Sequence, residues 1–162
     1  MFSIVIADTI SYLDSLRGAN DYLDGIKSIQ EGDYSVPATD HPAITVDWDD
    51  DCETSFNGNH LQIEAGLAIT LYAVSLESEA TAEQVVQDLL LRWDATSQKW
   101  MGLIPALHVR RGWTNNTLGL GFVQKIEPRI RRGTASSKSK GFSTAGASIR
   151  LKIITKSSLT NS

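Results

Sequence analysis

From His60 to Leu76 apolar and other residues alternate almost without a break. Leu61, Ile63, Ala65, Leu67, Ile69 and Leu71 fall on every second position, with Gln62, Glu64, Gly66, Ala68, Thr70 and Tyr72 between them. Successive side chains of a strand point to opposite faces, so the pattern predicts a long strand over Leu61 to Val74 with one dry and one wetter face. Three more segments share this period. Ile44, Val46 and Trp48 alternate with Thr45 and Asp47 just after Pro42, which predicts a strand over Ile44 to Trp48. Leu118, Leu120 and Phe122 alternate with Gly119, Gly121 and Val123. They predict a strand over Leu118 to Ile126 whose glycine face leaves room for a bulge or a close neighbour. Ala145, Ala147, Ile149, Leu151 and Ile153 alternate with Gly146, Ser148, Arg150 and Lys152, a closing strand over Ala145 to Ile153.

In two places the period lengthens to that of a helix. Ile6, Ile10, Leu13 and Leu16 or Arg17 form one stripe, predicting a helix over Ile4 to Tyr22 that Gly18 and Gly25 weaken toward its end. Ala82, Val86, Leu89 and Trp93, widened by Val85 and Leu90, form a second stripe over Thr81 to Asp94. Thr81 reads as its N-cap, with Gln84 three residues on to reach back to the Thr81 amide. Trp93 and Trp100, at helical spacing, then read as core or interface anchors rather than a ligand platform. The rest reads as connections. Gly25 to His41 has loop composition with a short extended piece around Ile26 to Ile29. Phe56 to Asn59 supplies a turn, because Asn57-Gly58 accepts positive φ. Leu103 to Val109 reads as extended, and Arg129 to Lys140 as a basic, mobile hairpin tip. These elements predict a single α+β domain: an antiparallel or mixed sheet of about four strands with two amphipathic helices packed on it.

Charge changes this picture more than composition does. A chain of 162 residues buries about two-thirds of its unfolded surface and needs neither disulfide nor metal to hold it. Cys52 is the single cysteine and cannot form an intramolecular bridge, as suits a reducing compartment. No apolar run approaches the roughly 20 residues that span a bilayer, and the first residues lack a basic signal region, so the chain reads as soluble and not exported. Residues 1–98 carry 18 acids against three bases, a net of -15, and residues 99–162 carry 12 bases against one acid, a net of +11. The two halves sum to the net -4 of the whole. Either the charges solvate two exposed surfaces, or an acidic face of one copy meets a basic face of the next, a head-to-tail contact that can close into a ring. The acids concentrate in Asp49, Asp50, Asp51 and Glu53, read as a solvated loop. A calcium loop would need glycine at its sixth position and glutamate at its twelfth, where Cys52 and Gly58 stand. The bases concentrate in Arg110 and Arg111, beside Trp113, and in Arg129, Arg131, Arg132, Lys138 and Lys140. These acids and bases, with Trp113, are the candidate interface residues.

Chemistry is otherwise absent from the pattern. His41, His60 and His108 share no zinc-ligand spacing, and there is no GxSxG, no P-loop and no GxGxxG. The chain therefore reads as a non-enzyme with no cofactor and no metal. The Arg129 to Lys140 loop could meet nucleic-acid phosphates, but it has no interleaved aromatic for base stacking, and the acidic half would repel a polyanion.

The order helix, loop, strand opening at Pro42-Ala43-Ile44, long strand, helix and two closing strands split by a loop resembles the tail terminator (tail completion) proteins of tailed bacteriophages. The resemblance covers nearly the whole chain and rests on element order and size. It implies a structural virion protein, assembled in the host cytoplasm, that forms a six-membered ring on the tail tube. The tail tube protein would lie on one side and a neck or connector protein on the other. Genomic DNA would pass through without specific binding, and no membrane would be involved. Other head-tail joining proteins share this size range, and a small nucleic-acid-binding module using the basic loop stays open beside them.

Overall fold

The structure, a computed structural model, describes residues 2–32, 40–58, 60–75, 79–109, 112–115, 119–129 and 143–158. The fold is α+β. Its main sheet has six strands in the order β1 (Ser28–Glu31), β2 (Ala43–Asn57), β3 (His60–Ser75), β8 (Ser143–Ser158), β7 (Gly119–Arg129), β6 (Gly112–Asn115). β1 runs parallel to β2 and every other neighbouring pair is antiparallel, so the sheet is mixed. The four strands expected from alternation form its centre, and two short strands border them.

One face of this sheet carries the core. Ile44 and Val46 of β2 pair with Leu71 and Ile69 of β3, which pair with Ala147 and Ile149 of β8, and all six are buried. Three helices lie on that face: α1 (Phe2–Asp14), α2 (Glu79–Leu90) and α3 (Leu103–Val109). Ile6 and Leu13 come from α1, Ala82, Val86, Leu89 and Leu90 from α2, and Leu103, Ala106 and Leu107 from α3. α1 lies against β1 and β2 at one edge and approaches β6 at the other, so the sheet curls around it. Among the described residues no helix is long and apolar enough to cross a membrane.

Several expected boundaries move. α1 ends at Asp14, not Tyr22: the bonds from Leu16 to Leu13 and from Arg17 to Asp14 tighten the last turn, and Asn20 then takes φ +62°. Leu23 and Ile26 still reach the core through successive turns, which is why the apolar spacing outlasts the helix. Arg17 closes this connection, its Nε 2.8 Å from Asp14 and its Nη1 donating to the Lys27 carbonyl at 2.6 Å. α2 starts at Glu79, which makes Thr81 an interior residue and not the N-cap, and Gln84 donates forward to Asp88 Oδ1 at 2.9 Å. Leu103 to Val109 is helical, not extended. Pro105 stands in its first turn, where a missing N–H costs nothing, and Leu103, Ala106 and Leu107 repeat at helical spacing.

The acidic run is strand rather than loop. β2 continues through it to Asn57 and turns back at Gly58 (φ +61°) into His60. The register passes from Asp49↔Gly66 to Cys52↔Ala65, so Asp50 and Asp51 form a bulge and Glu53 pairs with Glu64. Backbone hydrogen bonding to a long partner strand outweighs loop-like composition here, and a strand near a sheet edge tolerates charge. Arg129 likewise ends β7 instead of opening a loop, and the glycine-rich strand carries a bulge between Val123 and Lys125.

Candidate interaction surface

The connection from α2 to α3 builds an exposed aromatic pair. α2 stops at Leu90, and the chain forms a hairpin of β4 (Arg92–Asp94) and β5 (Lys99–Met101) that stands apart from the main sheet. Its turn is local chemistry. Asp94 accepts from the Ser97 hydroxyl at 2.6 Å and from the Thr96 amide at 3.1 Å, and Gln98 takes φ +52° to close the loop. The Ser97 hydroxyl first, then the Thr96 amide, hold the Asp94 carboxyl below the ordinary carboxylate range. The hairpin is anchored at both ends: Met101 is buried opposite Arg92 at its base, and at its turn end Lys99 Nζ sits 5.3 Å from the centre of the Tyr22 ring.

Trp93 and Trp100 face each other across this hairpin. Their ring centroids are 5.4 Å apart at an interplanar angle of 70°, an edge-to-face pair, and each side chain remains 53% exposed. They are therefore not on a helix. The pair steadies a two-stranded hairpin that would be marginal alone and leaves half its own surface exposed. The signal that could have located it is the turn Asp94-Ala95-Thr96-Ser97, with a tryptophan one residue before Asp94 and another three residues after Ser97. A second exposed apolar position lies at the β2–β3 tip, where Phe56, in register with Leu61, is 72% exposed.

The other candidate residues are set by strand order. On the sheet face away from the helices, register aligns Thr45, Thr70, Ser148 and Arg129 in one row. Asp47, Ala68, Arg150 and Glu127 form the next, and Asp49, Gly66, Lys152 and Lys125 the one after. Thr70 and Ser148 hydroxyls are 3.5 Å apart in the first row. Asp49, Asp50, Asp51 and Glu53 all belong to β2, near one edge of the sheet, and Lys125 and Arg129 belong to β7, near the other. Trp113 lies in the edge strand β6, opposite Gly121. Strand order thus brings the acids together on β2, with β3 between them and the bases Arg150 and Lys152 of β8, and Lys125 and Arg129 of β7 one strand further on. Arg110, Arg111, Arg131, Arg132, Lys138 and Lys140 lie outside the described residues.

Neither a family model nor a curated protein matches this chain.

Proposed function

We propose that this chain is a structural protein that assembles head to tail into a ring, and that the ring is the tail terminator of a tailed bacteriophage, joining tail tube to neck. The observation that carries the reading is the lateral charge split of the sheet, with acids on β2 and bases on β8 and β7. A head-to-tail contact needs two different, complementary patches on each copy, and opposite sides of one sheet are where rotation about a ring axis brings them together. Within the chain some of these charges are badly matched: Glu53 lies opposite Glu64 and Lys125 opposite Lys152. The exposed Trp93–Trp100 pair supplies an apolar anchor of the type that dominates interface energies. In such a ring the genome would pass through the lumen, and a wall presenting acids would let DNA slide without sticking. The α+β order, with the three helices among the described residues on one sheet face, supports the resemblance drawn from the sequence.

The test is native mass spectrometry of the purified protein across salt, followed by electron microscopy with isolated tail tubes. We expect a hexamer at low salt that seats on tube ends. It should loosen as the Debye length falls from about 10 Å at 0.1 M to about 3 Å at 1 M. A monomer at every concentration and salt would overturn the ring. A ring that ignores tube ends would replace the terminator with a neck adaptor.

A further inference from the structure

We draw no further inference here: the strongest candidate, the exposed Trp93–Trp100 patch on the outer face of the β4–β5 hairpin, carries nothing beyond the anchor already described, because nothing in the structure shows what covers it.

Discussion

Gly102 joins the tryptophan hairpin to α3 at a point where a side chain has no room. Its φ is +114°, and a Cβ there would lie 2.7 Å from the Leu90 carbonyl oxygen and 2.8 Å from that of Leu89. Both the conformation and the contact with the end of α2 demand glycine. Gly102→Ala is expected to lower the unfolding free energy by roughly 2–3 kcal/mol, read from the shift of the urea midpoint. Gly18→Ala, with open space around it and no positive φ, should be neutral or gain up to about 1 kcal/mol. Asp94 adds a pH dependence. Its carboxyl is lowered from the ordinary 3.8, chiefly by the Ser97 hydroxyl. A group lowered in the folded state supports that state above its ordinary pKa, and the support fades as pH falls through the lowered value. The circular-dichroism signal of the coupled Trp93–Trp100 pair should hold above pH 3.8 and weaken below it. In Asp94→Asn it should be weaker at neutral pH and show no such step.

At the scale of elements, β7 and β8 make an unusual pair. Lys125 lies opposite Lys152 while Glu127 lies opposite Arg150 two residues on. Lys125→Glu would convert the first pair to unlike charges, and the monomer should gain roughly 0.5 kcal/mol in denaturant titration. The same change removes a base from the edge that would meet an acidic neighbour, so assembly should weaken. A variant more stable as a monomer yet poorer as an oligomer separates the two roles of the residue. If Lys125→Glu strengthens assembly, the basic edge of β7 is not what a neighbour reads.

For the whole molecule the ring reading assigns separate jobs to charge and to apolar surface, and salt tells them apart. Charge contacts are screened, whereas a buried aromatic anchor is not. Trp100→Ser should lower assembly by a similar factor at every salt concentration while α1, α2 and the main sheet persist, because Trp100 lies outside the core cluster. Lys125→Glu should flatten the salt dependence itself. Sedimentation of both variants from 0.05 to 1 M salt, on the order of the range over which the Debye length crosses interface dimensions, distinguishes a parallel shift from a change in slope.

The alternation through Leu67, Ile69 and Leu71, the buried stripe of Ala82, Val86 and Leu89, and the turn at Gly58 were all legible in the sequence. Each depends on neighbours a few residues away and on the stereochemistry of one strand or one helical turn. The partition of acids and bases was legible too, being a count along the chain. What lay beyond local pattern was set by partners distant in sequence. The run Asp49 to Glu53 has loop composition, and it becomes strand because residues 60–66 lie alongside and pair with its backbone. Trp93 fits the stripe of α2, yet the helix stops at Leu90 and the tryptophan turns to meet Trp100. Leu103 to Val109 reads as extended until the place of Pro105 in the first turn of α3 is known. Above all, only the tertiary structure inserted β8 between β3 and β7. A charge bias along the sequence became a charge bias across a sheet because pairing between strands about 80 residues apart is chosen by shared burial of a face, and no local spacing records that choice.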